Sequence, residues 1–329
     1  MSSTSIRDGG IGAAVGVIIG ILLGAAFVWF YYAKQREGRS GAPVIYLRDP
    51  PPPATGEFVE LVPEILTTMK HFLLLRKDGP DLRKALGMTC AGFSMHSRNY
   101  YHSDKLPKVP ESLDENLRGL FLGEEVTRAL KGLIMNPKTR YHALTHLQVR
   151  VVLSNLDIHT IGPLSLLPLF VTEFIKSLPF TTSSYKSQNL SRGLMPLALW
   201  RKLTVYSMAK HKGLMPGPIE PPESIGLQVN RLFNALADVL DHFAKDIPDG
   251  SPTHRDALKR QMNFAIKFGY EIFSHGIEYQ YQWQPEPSKD GIVVVPGLAE
   301  LADDNATPHW NPKILEGTPE IVIPRKDPW

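Results

Sequence analysis

A chain of 329 residues with 36 Lys+Arg against 33 Asp+Glu carries a formal charge of only +3. That is too near balance to argue for a nucleic-acid partner. The single cysteine, Cys90, excludes an internal disulfide and a closed thiolate zinc site, and it leans towards a reducing compartment.

Residues 1–8 form a short N-terminal segment. From Gly9 to Ala33 there is no charged side chain, about 25 positions or about 37 Å of helix. This predicts a transmembrane helix over 9–33, since a hydrocarbon core is about 30 Å thick. Trp29, Phe30, Tyr31 and Tyr32 close the run, where amphipathic rings prefer the headgroup level. A cleaved signal peptide is the rival reading, but the apolar stretch is longer than such a leader needs. Lys34, Arg36 and Arg39 follow, against Arg7 on the other flank. The positive-inside bias then places the N-terminus outside and the C-terminal domain in the cytosol of a single-pass membrane protein.

Gly12, Gly16, Gly20 and Gly24 repeat every four residues, so they share one face of that helix. Such a row lets a second helix approach closely, predicting self-association or a partner helix within the bilayer. Gly10-Ile11-Gly12 with Gly16 only mimics a dinucleotide fingerprint, because no βαβ unit surrounds it.

Residues 34–56 read as a juxtamembrane linker stiffened by Pro50-Pro51-Pro52-Pro53. Residues 57–284 read as a helical domain. One helix is expected from Ser112, spaced to Glu115 as a capping box, to Asn136-Pro137. Others are expected over about 138–155 and about 164–178. The clearest lies between Ser224 and Ile247, where Ile225, Val229, Leu232, Leu236, Val239 and Phe243 recur at steps of three and four. The next starts at Ser251-Pro252 and extends towards Gln282. Residues 285–329 form a Pro-rich extended tail. Its β-branched islands, Ile292–Val295 and Glu320–Ile323, can supply one or two short strands. The expected class is all-α, a bundle behind one transmembrane helix.

His142 and His146 lie four apart and so on one helix face, with Asp157 and His159 a little further on. Paired imidazoles can bind a metal, but the general-base Glu of a zincin is missing and no third ligand has a fixed offset. Glu271, His275 and Glu278 would share a face of the last helix, in the wrong order and number for a di-iron bundle. Gly92-Phe93-Ser94-Met95-His96 lacks the second glycine of a nucleophile elbow. Cys90 with His96 or His102 is a thiol–imidazole pair only if the fold joins them. No cofactor is expected.

Between Glu173 and Glu220 there is no acidic residue, while Arg192, Arg201, Lys202, Lys210 and Lys212 all fall there. The rival to a core helix with solvated lysines is contact with anionic lipid or an acidic protein partner. The sequons at Asn189 and Asn305 stay unused in a cytosolic domain. The expected function is a membrane-tethered helical interaction module. The alternative is a membrane-anchored enzyme whose site is assembled from scattered groups such as His142, His146 and Glu278. A third class is a structural subunit of a larger complex.

Overall fold

The structure is a computed structural model that describes residues 79–160, 162–178, 190–208, 218–246, 252–283, 291–303, 308–315 and 322–324. Among the described residues eight α-helices run α1 (Gly79–Tyr100), α2 (Leu113–Arg118), α3 (Glu124–Met135), α4 (Arg140–Ser154), α5 (Leu169–Ser177), α6 (Leu190–Met208), α7 (Gly226–Leu240) and α8 (His254–Ser274). Five strands follow: β1 (Glu278–Gln282), β2 (Gly291–Val293), β3 (Gly297–Ala302), β4 (Pro308–Ile314) and β5 (Val322–Pro324).

The all-α expectation is therefore corrected: the fold is mostly helical with a small antiparallel sheet. β1, β3 and β4 form that sheet in the order β1-β3-β4, and β2 pairs with β5. The physical reason starts at α8. His275 leaves the helix in extended conformation, with φ −72° and ψ 147°. Glu278-Tyr279-Gln280-Tyr281-Gln282 then runs as a strand, with Tyr279 and Tyr281 both buried. Alternating tyrosines suit a pleated, half-buried surface better than a helix. β1 takes its partners from β3, Gln280 opposite Ala299 and Tyr281 opposite Leu298.

The expectation of a membrane-spanning helix is not carried into the fold. Among the described residues no helix is long and apolar enough to cross a membrane. Residues 9–33, with Gly12, Gly16, Gly20 and Gly24, lie outside the described residues.

The core is built on α1, α4 and α8, which pack on one another. α1 contributes Leu82, Leu86, Cys90 and Phe93, spaced by three and four. α4 is buried on almost every side, from Arg140 through Leu144, Leu147 and Val151 to Leu153. Such a helix belongs in the middle of a domain. α8 lies against it through Leu258, Met262, Ile266 and Phe273. A Cβ placed on Gly269 would sit 2.6 Å from Leu156 Cδ1 and 2.8 Å from its Cβ, so a close approach requires this glycine. Gly269→Ala is expected to cost about 1–3 kcal/mol by overpacking. A chemical denaturation midpoint unchanged by that substitution would show that the segment yields freely.

The single helix expected between Ser112 and Asn136 is two. Phe121 (φ 56°) and Gly123 (φ 85°) break it, both in the left-handed region. Ser112 precedes α2 but does not cap it; its hydroxyl is 3.1 Å from His242 Nε2. The helix expected from about 164 begins at Leu169, because Pro168 is extended at its N-cap. α8 is capped by Thr253 rather than Ser251: Thr253 and Asp256 bond reciprocally in a capping box. At the end of α3 the buried Arg140 guanidinium donates to the carbonyls of Ile134, Met135, His102 and Asp104. It thereby satisfies helix-end acceptors that have no intrahelical donor.

Candidate functional site

Ionisable groups from three distant parts of the chain meet on Glu278. Its Oε1 accepts from His159 Nε2 at 2.9 Å, and its Oε2 accepts from Arg201 Nε at 2.7 Å. Asp157 joins from the other side, its Oδ1 accepting the backbone N–H of His159 at 2.8 Å. Arg201, on α6, also donates to the Phe273 carbonyl at 2.6 Å, the His275 carbonyl at 2.5 Å and the Ile277 carbonyl at 3.3 Å. These carbonyls lie where α8 gives way to β1. One guanidinium therefore caps the helix end and holds the first residue of the strand.

The cluster is sealed: His159, Glu278 and Arg201 are 0–2% exposed at their side chains. Burial works to raise the Glu278 carboxyl, but the Arg201 charge and the His159 hydrogen bond outweigh it and hold the group down at about 2. Burial works to lower His159, yet the bond to Glu278 and the charge of Asp157 push it above its ordinary value. Asp157 is raised, chiefly by burial. A carboxylate this acidic is a weak base at neutral pH, where a general base performs best with a pKa near the working pH. The arrangement suits holding elements together better than moving protons.

The other sequence candidates do not assemble. His142 is exposed on α4 whereas His146 is buried, and Nδ1 of His146 donates to the Val293 carbonyl. Among the described residues no group of three or more His, Cys, Asp or Glu side chains could hold a metal. Glu271, His275 and Glu278 do not share a helix face, because α8 ends at Ser274. Cys90 is buried, which pushes its thiol up to about 12 and leaves it a poor nucleophile. His96 faces the Gln148 Oε1 at 2.7 Å and the His254 carbonyl at 2.9 Å instead of the thiol. Ser94 sits inside α1 rather than on a strand-to-helix turn.

The basic segment is likewise rearranged. Arg201 and Lys202 are both 2% exposed, so their side chains do not face an anionic surface. The side chain of Arg192, and Lys210 and Lys212 entirely, lie outside the described residues. Hydropathy could not separate a buried arginine from an exposed one; the partner carboxylate of Arg201 stands 77 residues away.

A different surface emerges on the helices beside the cluster. Phe174 of α5 stacks on Trp200 of α6 with ring centroids 4.0 Å apart. On the same two helices Leu169, Phe170 and Leu203 are exposed. Gln228, in the first turn of α7, donates to the carbonyls of Ser165 and Leu167 just before α5, and its neighbour Leu227 is exposed too. In comparisons with known proteins, the chain matches no family model, no characterised relative and no solved structure.

Proposed function

We propose that the folded helical unit is a protein-interaction module whose binding face is formed by α5, α6 and the start of α7. The supporting observation is a contrast. The Glu278 cluster lies in a sealed interior, whereas Leu169, Phe170, Leu203 and Leu227 stand exposed on α5, α6 and the start of α7, where Phe174 of α5 stacks on Trp200 of α6. Clustered large apolar side chains at a surface favour a binding role over a solvated one. Covering one such side chain is worth about 1.5–3 kcal/mol, so four together give about 6–12 kcal/mol, which an association cost of about 4 kcal/mol or more reduces to a weak complex. The enzyme reading has less support, because His142, His146 and Glu278 do not converge.

The test is photocrosslinking from position 170 in the full chain, with position 259 as an exposed control. The expected result is a discrete adduct from 170, lost when Leu203 is changed to Asp. Equal labelling from both positions, or labelling indifferent to Leu203→Asp, overturns the reading.

A further inference from the structure

α1 and α8 run antiparallel, and side-chain contacts fix their register. Gln261 Nε2 donates to the Thr89 carbonyl at 3.0 Å, and a Cβ on Gly92 would collide with the Gln261 side chain. Two turns nearer the start of α8, the His254 carbonyl lies 2.9 Å from His96 Nε2. Both helices pack their inner faces on α4, so their outer faces form one surface. Met88 and Met95, about 10.5 Å apart along α1, lie on the side away from the buried Leu82, Leu86 and Phe93. Phe264, one turn past Gln261, comes level with Met88 and lies away from the buried Leu258, Met262 and Phe273. Met88, Met95 and Phe264 are 50%, 63% and 47% exposed.

The same register sets cations around this apolar centre. Lys267 comes level with Lys84, Arg260 level with Ala91, and Arg98 follows one turn after Met95. All four are exposed, and none forms an ion pair among the described residues, where the Lys and Arg pairs involve other side chains. The carboxylates of the two helices are already engaged. Asp256 feels the charge of Arg260 but bonds the Thr253 hydroxyl, and Asp81 and Glu271 have interactions of their own. Together α1 and α8 carry seven Lys and Arg against three Asp and Glu, a surplus of four, whereas the whole chain has only +3. The positive charge of the protein is therefore concentrated on these two helices.

We infer that the outer face of α1 and α8 docks on an anionic phospholipid surface, with Met88, Met95 and Phe264 dipping among the headgroups and Lys84, Arg98, Arg260 and Lys267 meeting their charges. Apolar side chains flanked by basic ones are the pattern of helices that lie in the plane of a membrane interface, and each basic residue near such a surface adds to binding. An acidic protein partner fits less well. Three apolar side chains fall short of the about 800 Å² per partner that a standard protein interface covers. A protein would also have to hold its carboxylates at four set positions, whereas lipid headgroups are mobile and move to each cation. This face is separate from the one on α5, α6 and α7 and does not rest on it.

The test places an environment-sensitive fluorophore on this face in the full chain. Ala91→Cys supplies the thiol between Met88 and Met95, since the native Cys90 is buried and its thiol is pushed up to about 12. Lys138→Cys, exposed on the turn before α4, is the control. Phosphatidylcholine vesicles carrying a lipid-borne quencher are added with or without phosphatidylserine. The expected result is quenching at position 91 but not at 138, with phosphatidylserine required and added salt weakening it. Arg260→Glu with Lys267→Glu should raise the lipid concentration needed by about thirtyfold, at about fivefold per basic residue. Phe264→Ser should reduce the quenching at saturating lipid. Residues 9–39 are common to every variant, so the loss on charge reversal reads this face alone. Quenching at 91 that is absent, equal without phosphatidylserine, or indifferent to the charge reversal overturns the proposal. It is also overturned if an acidic amphipathic peptide shifts the fluorophore where vesicles do not, the outcome expected of a protein-binding face.

Discussion

Replacing Arg201 with methionine is expected to lower the unfolding free energy by about 3–5 kcal/mol, the range seen when one partner of a buried ion pair is removed. Methionine keeps the volume and the apolar stem but withdraws every donor. Glu278 would keep only the His159 bond, while 2% exposed to water. The carbonyls of Phe273 and His275 would lose their guanidinium donor at the point where α8 becomes β1. Loss of a helix end and of a strand start from one side chain explains why the effect should stand at the top of that range. Urea denaturation of the variant measures it. A double variant, Arg201→Met with Glu278→Leu, should recover part of the loss, because no uncompensated carboxylate remains. A single-variant cost under about 1 kcal/mol would mean that the pair is as well solvated as a surface salt bridge, and the clamp interpretation would fail.

The second large effect is on the pH dependence of stability. His146 is buried, and desolvation with the nearby Arg150 charge pushes its pKa down to about 4. An unfolded histidine titrates near about 6.5. The native state therefore binds fewer protons between those values. The contribution of His146 is whole above about 6.5 and is lost as pH falls towards 4, up to about 3 kcal/mol. His96 and His254 are lowered in the same way, chiefly by burial, and add to the same slope.

The sealed cluster behaves differently across that window. Glu278, held at about 2, contributes stability above the unfolded carboxylate value and loses it only as pH falls further. His159, raised, contributes fully below about 6.5 and loses its share as pH rises through its higher folded value. Asp157, raised by burial, opposes His146 at every pH between the unfolded carboxylate value of about 4 and its own elevated folded value. Stability measured by denaturant titration is thus expected to fall from pH 6.5 to 4. His146→Phe should start from a lower plateau, since the Val293 carbonyl loses its donor, but should fall less steeply. A parent curve that is flat in this window, or a variant curve as steep as the parent, would remove His146 as the titrating group.

How much of this was legible beforehand depends on how far apart the interacting residues lie. The α7 stripe is a local pattern: Leu232, Leu236, Val239 and Leu240 are buried at helical spacing because a turn takes 3.6 residues whatever the rest of the chain does. The end of α3 at Asn136-Pro137 is local too, since proline disfavours helix in the residue before it. Two island strands were readable as β-branched runs, but not their pairing, Ile292 with Ile323 and Val293 with Val322.

Composition, the near-zero charge balance, the lone cysteine and helix periodicity are properties of residues and their near neighbours, and the sequence by itself determined them. The tertiary structure alone decided which polar groups are inside. His142 and His146 are equivalent by spacing, yet one is exposed and the other buried, because α4 is enclosed by α1 and α8. In the sequence Arg201 is one of several basic residues, and its partner Glu278 comes from a strand that the helical reading places in the last helix. Burying a charge is tolerable only when a partner is present, and nothing in a linear pattern says where in the fold that partner will be.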